Sequence, residues 1–174
     1  HIHTVPDKPV LREVYSYTYD HVNRILTTSH KLNDLPERIL LSNSYDEIGR
    51  LQKQSKATET SVYTYNVRDR LTGISGKFFS ETLAYNTAVG DVSPQVPSYN
   101  GNISAMQWKA GLEKVMRSYQ FRYDYVNRLT HALYGEGNNI TINDKYNEIL
   151  TYDLMGNILT LRRHGKHDSG FGLI

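Results

Sequence analysis

The chain has 174 residues, and its 20 Lys and Arg against 18 Asp and Glu leave a net charge of +2, interspersed along the sequence. That balance excludes the basic excess of a nucleic-acid binder, and the absence of Cys excludes disulfides and thiolate chemistry. No apolar run approaches the roughly 20 residues needed to span a bilayer. Tyr dominates the aromatics, 14 against 4 Phe and 1 Trp, which suits half-buried pleated surfaces where the ring packs and the hydroxyl reaches water.

Residues 1–11, with Pro6 and Pro9, read as an extended lead-in. Tyr15-Ser16-Tyr17-Thr18-Tyr19 then alternates with period two, the strand signal, and Asp20-His21-Val22-Asn23-Arg24 interrupts it before a return strand to about His30. The same grammar recurs at Tyr45-Asp46-Glu47-Ile48-Gly49-Arg50-Leu51, Tyr65-Asn66-Val67-Arg68-Asp69-Arg70-Leu71, Tyr123-Asp124-Tyr125-Val126-Asn127-Arg128-Leu129 and Tyr152-Asp153-Leu154-Met155-Gly156-Asn157-Ile158. A shortened copy is Tyr99-Asn100-Gly101-Asn102-Ile103-Ser104. Strands are expected over 37–45, 50–55, 61–65, 70–75, 77–86, 102–108, 113–124, 128–134, 140–142, 146–153 and 157–163. The stretch 87–98, with Gly90, Pro94 and Pro97, breaks all periodicity and reads as an irregular exposed loop. The polar tail 164–174 reads as loose, and both ends read as cuts through a longer protein.

The repeated core has a physical reading. Asp or Asn opens a type I turn and accepts hydrogen bonds from its amides, and the fourth position sits in the left-handed region that Gly reaches freely and Asn or Asp tolerate. The structural turn residues are therefore Asp20 and Asn23, Asp46 and Gly49, Asn66 and Asp69, Asp124 and Asn127, and Asp153 and Gly156. This is the three-residue hairpin loop closed by a bulge. It sets Tyr19 opposite Ile25, Tyr45 opposite Leu51, Tyr65 opposite Leu71, Tyr123 opposite Leu129 and Tyr152 opposite Ile158, each pair contributing roughly 0.2–1 kcal/mol. The repeat spacing holds one hairpin and a turn but no long crossover helix, so the fold class is all-β: an antiparallel meander of hairpins forming a twisted, curled strip over 12–163 as a single domain. Tyr15, Tyr17, Tyr19, Tyr63, Tyr65, Tyr119, Tyr123 and Trp108 are expected to pack the inner face of the strip.

On five full copies and one shortened copy, covering essentially the whole chain, the sequence resembles the YD-repeat, or Rhs-type, proteins of bacteria. The segments Tyr99–Trp108 and Leu133–Gly137 resemble features of such proteins from Bacteroides-like bacteria. The resemblance implies a segment of a hollow β-shell in a secreted or cell-surface, cell wall-associated protein. It implies as partners the rest of that shell, a C-terminal cargo domain and cell-surface glycans, with Trp108 and Tyr99 as candidate glycan contacts. The sequence lacks the Asp-Pro-x-Gly type segment that closes such shells, so no toxin activity is carried over to it.

Catalytic, metal and cofactor sites are not expected. His164 and His167 lie on a basic tail, His1 and His3 are terminal, His21 is a variable turn position, and His131 shares a face with Leu129 and Leu133. The repeat carboxylates fall one per hairpin, roughly 9–10 Å apart, each with a turn to cap. No nucleophile elbow, phosphate loop or zinc-helix motif is present. The expected function is a structural, non-enzymatic scaffold; the alternative is a carbohydrate- or surface-binding module using exposed aromatics. Open sheet edges favour a homodimer.

Overall fold

The computed structural model describes residues 2–3, 10–87, 97–111, 113, 115–137, 141–167 and 169–174. Every regular element among them is a strand: β1 Ile2–His3, β2 Leu11–Tyr19, β3 Ile25–Leu32, β4 Arg38–Tyr45, β5 Leu51–Lys56, β6 Thr60–Tyr65, β7 Leu71–Ser75, β8 Phe79–Ala84, β9 Ala105–Ala110, β10 Arg117–Tyr123, β11 Leu129–Glu136, β12 Thr141–Ile142, β13 Glu148–Tyr152, β14 Ile158–His167 and β15 Gly170–Leu173. The protein is an all-β antiparallel meander.

It falls into two compact units, His1–Thr64 with Ser75–Lys77 and Tyr65–Ile74 with Phe78–Ile174, where the sequence reading expected one domain. In the first, β1 to β5 pair in chain order and β5 pairs with β6. In the second, β8, β9, β10 and β11 pair in order, β11 pairs with both β12 and β13, and β13, β14 and β15 follow. Four of the expected facing pairs stand in the predicted register: Tyr19–Ile25, Tyr45–Leu51, Tyr123–Leu129 and Tyr152–Ile158, each beside a bulge.

Three features depart from the sequence reading. Inside the expected lead-in, Ile2 and His3 pair with Arg12 and Leu11. The tail expected to be loose is paired: His164–His167 prolong β14, and Gly170–Leu173 turn back along them. The tyrosines of β2 are not interior, since Tyr15, Tyr17 and Tyr19 are 42%, 50% and 53% exposed. Period-two alternation marks one pleated face, and along β2 that face stays in contact with water. No described residue of the first unit is buried. Among the described residues the buried apolar side chains are Ala84, Tyr85, Ala105, Ala132 and Tyr134, all in the second unit. Most of the expected irregular loop, 88–96, lies outside the described residues.

Candidate functional site

The chemistry-bearing groups of this chain converge on the repeated turns. In the first, the Asn23 amide donates to the Asp20 carbonyl at 3.1 Å and the Asp20 amide donates to the Arg24 carbonyl at 3.0 Å. The turn at 46–50 repeats both bonds, as do those at 66–70, 124–128 and 153–157. The fourth position is left-handed throughout: Asn23 at φ 63°, Gly49 at 94°, Asp69 at 59°, Asn127 at 69° and Gly156 at 93°.

Each opening side chain accepts hydrogen bonds from its own turn. Asp20 Oδ1 accepts from the Val22 and Arg24 amides, both at 2.9 Å, and Oδ2 accepts from Arg24 Nε at 2.6 Å. Asp46 and Asp124 repeat this with Arg50 and Arg128. Asp153 uses Asn157 Nδ2 in place of an Arg. Asn66 Oδ1 takes the Arg68 and Arg70 amides at 2.9 and 3.1 Å. Partial burial pushes the Asp20, Asp46 and Asp124 carboxyls up, but the amide and guanidinium donors outweigh it and hold all three below the usual range. The Asn157 side-chain amide is the main cause for Asp153. The carboxylates therefore act as turn caps, both oxygens of each accepting from donors of its own turn.

The residues that sequence reasoning missed join one hairpin to the next. Tyr45 Oη donates to the Ile25 carbonyl of the preceding repeat at 3.0 Å, and the Arg24 guanidinium lies 4.4 Å from the centre of the Tyr45 ring. In the second unit Tyr152 Oη donates to the Leu129 carbonyl at 2.7 Å, with Arg128 4.7 Å from its ring centre. Arg128 Nη1 also donates to the Asp153 carbonyl at 2.8 Å. One Arg thus caps its own turn and covers the tyrosine of the next, a cation–π contact of about 0.5–2 kcal/mol. The signal was in the sequence as the fifth turn position, Arg in four of the five full copies.

The same latch relocates the shortened repeat. Tyr99, read as its tyrosine, is 70% exposed. Tyr85 fills the role: it is buried, donates to the Leu71 carbonyl at 2.9 Å and lies under Arg70 at 5.5 Å. The return half is Asn100–Ile103, where the Asn102 amide bonds Asn100 Oδ1 at 3.0 Å and the Ile103 carbonyl receives Tyr123 Oη at 2.8 Å. Tyrosine and return strand are separated by a long insertion, so a local sequence pattern could not join them.

The two candidate glycan contacts stand apart. Tyr99 borders an open groove of about 330 Å³, lined also by Asn100, Phe121, Arg122, Asp124 and Asn127. Its carbonyl is held by Arg68 Nη1 at 3.3 Å, and Asn100 Nδ2 donates to Asn127 Oδ1. Trp108 is half-buried and stacks on Tyr119 at 5.6 Å, in an aromatic chain that runs through Tyr134 and Tyr146 to Phe171. Among the described residues no group of His, Asp and Glu could hold a metal ion. His131 is half-buried with Nδ1 3.1 Å from Thr130 Oγ1, and burial lowers its pKa.

No family model and no curated protein matches the sequence. Among solved structures, 31 chains match. A mutant Tc holotoxin pore of Photorhabdus luminescens is similar with a TM-score of 0.68 at 16% identity, over 93% of this chain and 8% of that one. A TcdB2-TccC3-Cdc42 structure gives 0.69 at 15% identity, over 93% and 8%. TcdB2-TccC3 gives 0.67 at 16% identity, over 92% and 9%. Identity this low carries the fold alone, and the fold is the one the repeat grammar predicts. The chain spans 8% of the length of the first of these relatives.

Proposed function

We propose that this chain is a structural, non-enzymatic segment of a bacterial Rhs-type β-shell, a secreted or cell-surface protein of Bacteroides-like origin whose cargo is a C-terminal domain. One observation carries the reading: each tyrosine latch fixes a hairpin to the one before it, so the rule propagates without a built-in end. It operates in both units, at Tyr45 in the first and at Tyr85, Tyr123 and Tyr152 in the second. The non-enzymatic reading rests on the Asp carboxylates, which are occupied by turn donors. The likeness to Tc toxin structures over 93% of the chain supports the shell reading. Electron cryomicroscopy of the intact parent protein tests it: this segment is expected in the wall of a closed hollow body, and finding it in a solid stalk or a free appendage overturns the proposal.

A second reading, glycan binding, is favoured at Tyr99 by its exposed ring beside a concave, amide-lined groove. Trp108 supports it less, since Tyr119 covers one face of the indole. A glycan array is expected to give signal that Tyr99→Ala abolishes; no signal from the parent chain removes this reading.

A further inference from the structure

Three asparagines of the second unit fold their side chains back in the same way. Asn66 Oδ1 accepts from the Arg68 amide at 2.9 Å, and Asn100 Oδ1 from the Asn102 amide at 3.0 Å. Asn143 Oδ1 accepts from the Lys145 amide at 3.0 Å. Each is an Asx turn, whose ring curls the side-chain Cγ back over the nitrogen of the following residue. That nitrogen is the nucleophile of asparagine deamidation, and the side chain next to it decides whether it can close on Cγ. Val67 follows Asn66 with a branched Cβ, and Asp144 follows Asn143 with a carboxylate. Gly101 follows Asn100 with no side chain at all, in the one Asn-Gly pair of the sequence.

The surroundings of Asn100 favour the same step. Ser98 Oγ donates a second hydrogen bond to Asn100 Oδ1, so two donors converge where negative charge develops during attack. A Cβ built on Gly101 would lie 2.5 Å from Arg70 Nη2, so the guanidinium rests on this glycine. Its positive charge favours loss of a nearby amide proton. Asn100 is exposed, and water reaches it freely.

We propose that Asn100 is a covalent modification site driven by its own turn, where the asparagine converts spontaneously to aspartate and isoaspartate. Gly101 N gives its proton to hydroxide and bonds to Asn100 Cγ, placing the negative charge on Oδ1. The Cγ–Nδ2 bond then breaks, and the nitrogen takes a proton from water and leaves as ammonia, closing a succinimide. Water adds to one of the two ring carbonyls and breaks its bond to the ring nitrogen. Opening at Cγ gives aspartate, and opening at the backbone carbonyl gives isoaspartate. Nothing is oxidised or reduced, and water is the only co-reactant consumed. The lost Nδ2 is the donor that ties this turn to Asn127 Oδ1. Its replacement by a carboxylate oxygen sets two acceptors against each other, with Asn102 Nδ2 still 3.4 Å from Asn127 Oδ1. The modification therefore loosens the contact between the shortened repeat and the hairpin turn at 124–128.

The test is peptide mapping by mass spectrometry on the full 174-residue chain, aged at neutral and at mildly alkaline pH. Amide loss is expected at Asn100 ahead of Asn66 and Asn143, with ammonia released and isoaspartate detected by enzymatic methylation. The rate is expected to rise with pH, because hydroxide removes the Gly101 proton. Ser98→Ala keeps the Ser98 amide bond to the Tyr85 carbonyl and leaves the circular dichroism unchanged. It is expected to slow conversion about two- to tenfold, the rate equivalent of one hydrogen bond. An Asn100 that stays intact overturns the proposal, as does conversion of Asn66 or Asn143 at the same rate. A Ser98→Ala rate equal to that of the parent chain also overturns it, by showing that the turn does not assist.

Discussion

At Gly49 and Gly156 the same turn position meets two different surroundings. Both are left-handed, at φ 94° and 93°. A Cβ on Gly156 meets nothing within 4 Å, whereas one on Gly49 would lie 2.7 Å from Arg24 Nη1. Gly156→Ala therefore costs only the backbone penalty, about 1–2 kcal/mol, and Gly49→Ala costs more because it displaces the guanidinium that covers Tyr45; urea denaturation of the two variants checks the order. The capping carboxylates give a pH prediction. Asp20, Asp46, Asp124 and Asp153 are all held below the ordinary range in the folded chain. Their stabilising contribution is complete above the unfolded value of about 3.9 and is lost as pH falls through the depressed native values. The melting temperature is expected to be flat between neutral pH and about 5 and to drop below about 4. Asp20→Asn keeps the two amide bonds, as Asn66 does naturally, and should blunt that drop.

At the scale of the hairpin, the tyrosine that latches matters more than the tyrosine that merely fits the motif. Tyr85→Ala is expected to cost about 3–5 kcal/mol. Tyr99→Ala, at an exposed position, is expected to cost under about 0.5 kcal/mol. Tyr123→Phe removes only the bond to the Ile103 carbonyl, about 0.5–1.5 kcal/mol; thermal or urea unfolding of each variant distinguishes these outcomes. The contrast also shows where sequence reasoning stopped. Turn type, bulge and facing pairs were legible because Asp20 to Arg24 and its copies hold all their determinants within five residues. The substitution of Tyr85 for Tyr99 was not legible, because the insertion before Asn100 separates the two halves of that repeat. Nor was the second role of Arg24 and Arg128, since each reaches a ring more than 20 residues away. The exposure of Tyr15, Tyr17 and Tyr19 was missed for a different reason: period-two alternation marks a pleated face without saying whether a second layer covers it.

At the scale of the chain, a deep core contributes little among the described residues, since only five of their apolar side chains are buried and all belong to the second unit. Repeated contacts between neighbouring hairpins must carry the load, as in other repeat arrays, where stability sums local units and nearest-neighbour terms. The central claim is that Arg and Tyr of successive repeats are energetically coupled. A double-mutant cycle by urea denaturation on Arg128→Ala and Tyr152→Ala, whose guanidinium and ring lie 4.7 Å apart, measures that coupling directly. A coupling energy of about 0.5–2 kcal/mol is the predicted result. Effects that add to within about 0.3 kcal/mol would mean that the hairpins stand side by side without being joined.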